Sequence, residues 1–409
     1  MPSVSKPHLR SLDFQPVSHH GRPMWLLRDP WQLGERQLIF PQALAQMLLL
    51  CDGTRTPEEI QSELAAQLGE EVPLSVVTEA LAELDKAYLL INERFEAQRR
   101  RLLDDYRRQP YRPPALADLS YPAAPDDLAE LFRQYGAEDD ESEAEPWRGR
   151  GVVSPHIDYG RGGPVYARVW RRATPSILQA DVVLIFGTDH NGRPGSITLT
   201  RQPYATPYGV LPNDPALIDR LAESIGPEAA YAEELNHRNE HSVELSAVWL
   251  HHTFHQAGRA PCPMIPILIG SFHHFLHNGA HPADHPPFVR FLAALREATR
   301  GRRVLAVASV DLAHVGPAFG DSFAMDEKRR ARLADHDQQL MAAALRGDAA
   351  DYYRQIWNVG DRNRICGFSP LYLMLRFLET SGGRQVAYDQ CPADPTDTSL
   401  VSICGLLLD

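Results

Sequence analysis

From residue 151 onward the chain alternates short apolar, β-branched runs with longer stretches of helical periodicity. The spacing predicts strands at 151–153, 181–186, 197–201, 263–269, 304–310 and 399–408. It predicts helices at 164–174, 215–225, 242–256, 287–299, 325–345 and 370–380. Strands that alternate with helices argue for a largely parallel sheet covered on both faces, an α/β fold. In such sheets ligands sit beyond the carboxyl ends of the strands.

Residues 25–95 have a different pattern, leucine-rich and helical. RDPWQLGERQLIF predicts a short β-hairpin, and PQALAQMLLLCDG a helix ending at Gly53. Thr56 is placed to cap a second helix, with Pro57 at its first position. A third helix follows in PLSVVTEALAELDKAYLL, where Val76, Val77, Leu81, Leu84 and Leu89 fall near helical spacing. A hairpin followed by three helices is the order of a small winged-helix-like domain. Residues 1–24 read as an N-terminal extension. Residues 96–148 read as a charged, proline-rich linker, with QPYRPP, an acidic run from Glu138 to Glu145 and room for a short helix at 125–134.

Length and charge narrow the classes. A chain of 409 residues exceeds what one core usually serves, so two domains are expected. A net charge of -12 argues against a general nucleic-acid binder, which needs a basic face. Neither a signal peptide nor a membrane span is visible, and a cytoplasmic protein is expected. The five cysteines are scattered, without a CxxC pair, and read as reduced thiols rather than a disulfide framework or a zinc knuckle.

The candidate chemistry lies just after the strands. His156 and Asp158 follow the first, Asp189 and His190 the second, and Ser309, Asp311 and His314 the fifth. Cys366 stands at a glycine-marked turn before a helix, and Glu240, His241 and Glu244 open another. Each has an ordinary explanation as a helix cap, a solvated loop residue or a small core side chain. Taken together, three strand ends bring histidines to one edge of a sheet. Two imidazoles with a carboxylate make an iron(II)-type facial site, whereas a thiolate in third place favours copper(I) or zinc. Asp158, Asp189 and Asp311 are candidates to orient the imidazoles.

Two resemblances follow from these residues. LLLCDGTRTPEEI, a helix and a final LL over residues 24–95 resemble the PqqD-like family, in which a leader peptide adds as a strand to the module's edge. Packing against the main domain, dimerisation or DNA binding are the alternatives, the last weakened by Glu58, Glu59, Glu63, Glu79, Glu83 and Asp85. PHIDYGRGG, FGTDHNG, NEHSVEL, IPILIG, ASVDLAH, ICGFSP and LVSICG, in that order over residues 148–409, resemble the Memo-like family, whose microbial members are called AmmeMemoRadiSam system protein B. That resemblance implies a fold like the class III (LigB-type) extradiol dioxygenases for residues 149–409. It implies one transition-metal ion, iron or copper with zinc as a further candidate, on His156, His190 and Cys366, the cysteine standing where the dioxygenases have a glutamate. It implies an acid/base role for His314, preceded by Asp311, and a pocket containing His241, Glu240, Asp158 and Asp189. A radical-SAM partner and a peptide or protein substrate are the implied partners. Ser309-Val310-Asp311 and Ser402-Ile403-Cys404 depart from the usual Ser-Ser-Asp and Ser-Tyr-Ala. Cysteine as the third ligand leaves two functions open: a metal-dependent redox or modifying enzyme, or a metal carrier or peptide-binding scaffold without turnover.

Overall fold

The computed structural model describes residues 6–137, 146–277 and 279–409. The chain forms two compact units, Met1–Arg108 and Gln109–Asp409.

The first unit contains β1 (Asp13–His19), β2 (Arg22–Arg28), β3 (Leu38–Pro41), α1 (Gln42–Leu50), α2 (Pro57–Leu68), α3 (Leu74–Lys86) and α4 (Glu93–Arg108). Thr56 caps α2 as its sequence predicts. Its hydroxyl accepts from Glu59 N (3.3 Å) while the Glu59 carboxylate accepts from Thr56 N (2.7 Å), a reciprocal capping box. The apolar faces of α1, α2 and α3 close one core in which Met47, Ile60, Leu64, Val77 and Leu84 have no exposed surface.

Within the stretch 1–24, expected as an extension, residues 13–19 and 22–24 belong to the first unit's sheet. β1 pairs antiparallel with β2 along its whole length, from Asp13 opposite Arg28 to His19 opposite Arg22. The hairpin turn is His20–Gly21, both at positive φ (50° and 74°), as the tight turns that suit strand twist require. The segment DFQPVSH is exposed on both faces, so it lacks the alternation that reveals a strand. The RDPWQLGERQLIF segment instead supplies the end of β2, a loop, and β3, which pairs with β2.

The second unit contains α5 (Pro125–Tyr135), β4 (Gly151–Ser154), α6 (Tyr159–Ile177), β5 (Val182–Thr188), β6 (Ile197–Leu199), β7 (Tyr204–Thr206), β8 (Gly209–Leu211), α7 (Pro215–Ile225), α8 (Pro227–Tyr231), α9 (Asn236–Asn239) and α10 (His241–Gln256). It continues with β9 (Met264–Ile269), α11 (Pro286–Ala298), β10 (Val304–Ser309), β11 (His314–Val315), α12 (Glu327–Leu345), α13 (Ala349–Asn358), α14 (Phe368–Leu378), β12 (Gly383–Pro392) and β13 (Leu400–Leu408). β4, β10, β5 and β9 are adjacent and parallel. β6 adds antiparallel to β9, and β13 runs antiparallel to β4, β11 and β12.

Alternation along these strands builds a core on each face. Leu184 and Phe186 of β5 and Ala306 and Ala308 of β10 face one layer. Val183 and Ile185, with Leu305 and Val307, face the other. Full burial of each Val, Leu, Ile or Phe side chain among these contributes about 1.5–3 kcal/mol. Strand register then sets the edge: Ser309 lies opposite both Ser154 and Gly187, so the residues after β4, β10 and β5 emerge side by side.

The linker expected across 96–148 is also corrected. Residues 93–108 are helical, and the second unit begins at Gln109 rather than at 149. Tyr121, Leu128 and Phe132 are buried in its core, and the acidic run 138–145 lies outside the described residues. The charged composition misleads because its key charge is neutralised: Arg112 is fully buried in an ion pair with Glu244.

Candidate metal centre

The loop after β4 is fixed by Asp311, whose Oδ1 accepts from His156 N (2.8 Å) and Ile157 N (3.1 Å). His156 is 1% exposed, and its Nδ1 donates to the Ser309 carbonyl (2.9 Å). That bond leaves Nε2 with the free lone pair a metal requires. Burial pushes the His156 pKa down despite the thiol beside it, which favours the neutral imidazole. The Ser309 hydroxyl also donates to the Ser242 carbonyl (2.5 Å), tying the start of α10 to β10.

His190 and His241 share one carboxylate. Glu240 is 3% exposed and accepts from His190 Nδ1 (3.0 and 3.1 Å), His190 N (3.1 Å) and Ser242 N (3.0 Å). His241 Nδ1 lies 3.1 Å from the same carboxylate. Burial opposes the charge on Glu240, but the two imidazoles win and hold its pKa well below the ordinary value. Burial likewise opposes a charge on His190, and the Glu240 carboxylate overcomes it and raises His190 well above the imidazole range. The His190 and His241 rings stack at 4.7 Å, each within 5.2 Å of the His156 ring. All three imidazoles therefore place Nδ1 against oxygen acceptors, which leaves Nε2 as the nitrogen a metal would take once any proton on it is displaced.

Cys366 completes the cluster. Its Sγ is 3.1 Å from His156 Nε2, and its carbonyl accepts from the Thr188 hydroxyl at the end of β5 (3.0 Å). The turn comes this close because the next residue is glycine: a Cβ at Gly367 would stand 2.5 Å from the Val310 Cβ and 2.6 Å from the Asp311 carbonyl oxygen. Burial raises the thiol pKa, but His156 and His190 outweigh it and bring the thiolate within easier reach. Donor atoms of His156, His190 and His241 lie within 4.8 Å of one another, as do those of His156, Asp311 and Cys366. Imidazole nitrogens beside a thiol fit a borderline or soft first-row cation such as copper, zinc or iron, whereas magnesium and calcium prefer oxygen.

A cavity of about 570 Å³ opens onto the cluster, lined among others by Asp158, Arg161, His314 and Phe319. His314 Nδ1 faces the carbonyls of Arg364 (3.1 Å) and Leu312 (3.3 Å). Burial lowers its pKa, so at neutral pH it is suited to accept a proton. Asp311, grouped with His314 by sequence, positions the His156 loop with one oxygen and places the other 3.7 Å from His156 Nε2.

Two further expectations change. Asp158 lines the cavity but caps α6, accepting from Arg161 N (3.1 Å) and pairing with the Arg161 side chain, and it orients no imidazole. Asp189 points away from the cavity, held by Asn236 Nδ2 (2.9 and 3.0 Å), and burial raises its pKa to about 7. Glu240 sits behind the histidines rather than on the cavity wall. The orienting role expected of Asp158 and Asp189 belongs to Glu240 and to the Ser309 carbonyl. The latter carries no sequence signal, because any residue supplies a carbonyl.

Comparison with known proteins gives the family. The sequence profile of the family described as "Memo-like protein" matches residues 112–406. A MEMO1 family protein of Aquifex aeolicus is 26% identical over 406 residues, 98% of this chain and 99% of that protein. Others from Thermus thermophilus and Methanosarcina barkeri are each 28% identical, over 71% and 64% of this chain and 84% and 85% of their own lengths. With a family profile spanning most of its length and the ordered motifs assembled at one sheet edge, the chain belongs to the Memo-like protein family.

Proposed function

We propose that the chain holds one transition-metal ion on His156, His190 and Cys366, iron or copper with zinc as the alternative. It uses that ion as the redox component of a system that modifies a peptide or protein with a radical-SAM partner. The observation that carries the metal reading is a shared geometry: three imidazoles with Nδ1 against oxygen acceptors converge beside a thiol. Bound iron or copper would supply electron transfer and Lewis acidity. Around it, His314 holds or takes a proton at the cavity wall, Glu240 and Ser309 keep the imidazoles oriented, and Asp311 fixes the loop.

The peptide part rests on the first unit, read as a PqqD-like module. Its three-stranded sheet has the order β1-β2-β3, so β1 is an edge that can take a further strand. The relation to LigB-type dioxygenases rests on four parallel strands with the site beyond their carboxyl ends. No helix among the described residues is long and apolar enough to cross a membrane.

A second reading, a carrier or scaffold without turnover, is favoured by one feature. His156, His190 and His241 by themselves bring three donor atoms within 4.8 Å of one another, a set that needs no thiolate and that suits holding a cation. Anaerobic elemental analysis of the purified protein, beside His156→Ala and Cys366→Ala, tests the centre: both variants should lose most of the metal, and unchanged metal content would end the proposal. Incubation with iron(II) or copper(I), oxygen and a candidate peptide then separates the readings. A mass change supports the enzyme, and none under any metal supports the carrier.

A further inference from the structure

A second group of histidines lies away from the centre, in the segment that follows β9. Phe272 and Phe275 are 1% and 3% exposed and pack with Phe288 in the core. Between and after them, His273–Leu276 form a single 3₁₀ turn. The turn is closed by Phe275 N donating to the Phe272 carbonyl (2.9 Å) and His277 N to that of His274 (3.3 Å), and the Ser271 hydroxyl accepts from His273 N (3.1 Å). With the phenylalanines locked inward, His273 and His277 project together into solvent. Their rings lie edge to face at 4.6 Å, and their Nε2 atoms are 3.2 Å apart.

That separation is the length of an imidazole–imidazole hydrogen bond, and it is also the span two imidazoles take on one cation. A metal bound to two imidazoles at about 2.0–2.1 Å, with an angle near 90–110° between them, spans its two nitrogens by about 2.9–3.4 Å. The pair already stands at that span, on a turn whose backbone is hydrogen-bonded and whose apolar side is buried. Little ordering remains for a cation to impose. Both residues are solvent-exposed, so water completes the coordination without desolvating a charge.

We propose that His273 and His277 form a surface site for a divalent first-row cation, copper(II) foremost and zinc next, distinct from the buried centre. Neutral imidazole suits both metals, and copper(II) heads the affinity order for nitrogen donors. The segment is also joined to the loop that carries His190: Gly195 N donates to the Ser271 carbonyl (2.9 Å), and a Cβ at Gly195 would meet the His274 ring at 2.9 Å.

The test uses the full chain with His190→Ala and Cys366→Ser, which disables the buried centre, titrated with copper(II) and followed by calorimetry and electron paramagnetic resonance. The expected result is one equivalent with nitrogen hyperfine structure that disappears on adding His273→Gln and His277→Gln together. His277→Gln alone should weaken it at least tenfold. The same two substitutions in the otherwise unaltered chain should lower total copper by one equivalent, with thermal unfolding unchanged because both side chains are exposed. Copper stoichiometry and affinity that survive the double substitution in both backgrounds would overturn the site. Failure of the buried centre has a different signature, since it leaves the His273/His277 equivalent intact.

Discussion

Glu240 and Glu244 stand one helical turn apart at the start of α10, both buried, and they do different work. Glu244 accepts from Arg112, from Ala115 N (3.0 Å), from Leu116 N (2.9 Å) and from the Tyr121 hydroxyl. Arg112 also donates to the carbonyls of His237 (2.8 Å) and Glu240 (3.1 Å). None of these donors gives up a proton near neutrality, so Glu244 is a fixed clamp that fastens residues 112–121 to the helix. Glu240 accepts from imidazoles, which titrate and which keep a second nitrogen for a ligand. A buried carboxylate is tolerated wherever donors satisfy it. The titration of its donors decides whether it is structure or control.

The largest effect expected from this contrast is on stability. Arg112→Met leaves Glu244 buried without its cation, and thermal or denaturant unfolding should show a loss of about 3–5 kcal/mol. A loss below 1 kcal/mol would mean that the clamp is dispensable. Glu240→Gln keeps the shape but removes the charge, and should weaken metal binding about 10–100-fold in a chelator competition. Glu244→Gln, acting on non-titrating donors, should change metal affinity far less.

The pH dependence sharpens the same point. Protons and metal compete for His190, and Glu240 raises its pKa well above 6.5. Metal binding to His190 should therefore release a proton, and apparent metal affinity should fall as pH drops through the raised His190 range. In Glu240→Gln the number of protons released on metal binding near neutral pH should fall, read by calorimetry in buffers of different ionisation enthalpy. Unchanged proton release would remove Glu240 as the source of control. The smallest effect is remote from both carboxylates: Thr56→Ala breaks the α2 capping box and should cost about 1 kcal/mol, with metal content unchanged.

The sequence made the centre of the second unit legible because its strands are apolar runs and its helices carry periodic faces. The observed β4, β5, β9, β10 and β13 lie within a residue or two of where the pattern puts them. The elements that escaped lack a long apolar signal. β1 is largely exposed, β7 and β8 are three residues each, β12 mixes exposed and half-buried positions, and α13 follows α12 after only a short turn. The histidines after β4 and β5 and the thiol of Cys366 were visible as residue types placed near strand ends and turns. Their orientation was not, because Glu240 reaches His190 from 50 positions away and Asp311 reaches the His156 backbone from 155. Residues 109–137 were misread for a related reason. Composition counts the charge of Arg112 but not the carboxylate that cancels it.

The distance along the chain between Cys366 and His156, 210 positions, gives the centre a thermodynamic identity of its own. No short peptide of this protein contains the chelate, and the unfolded chain offers only scattered donors. A cation that recognises the assembled set is then a ligand of the native state alone, and by mass action it deepens the native well by about 2.7 kcal/mol at a hundred times its dissociation constant. Melting temperature against free metal concentration would thus read out occupancy without any knowledge of the reaction, and a chelator would lower it in step.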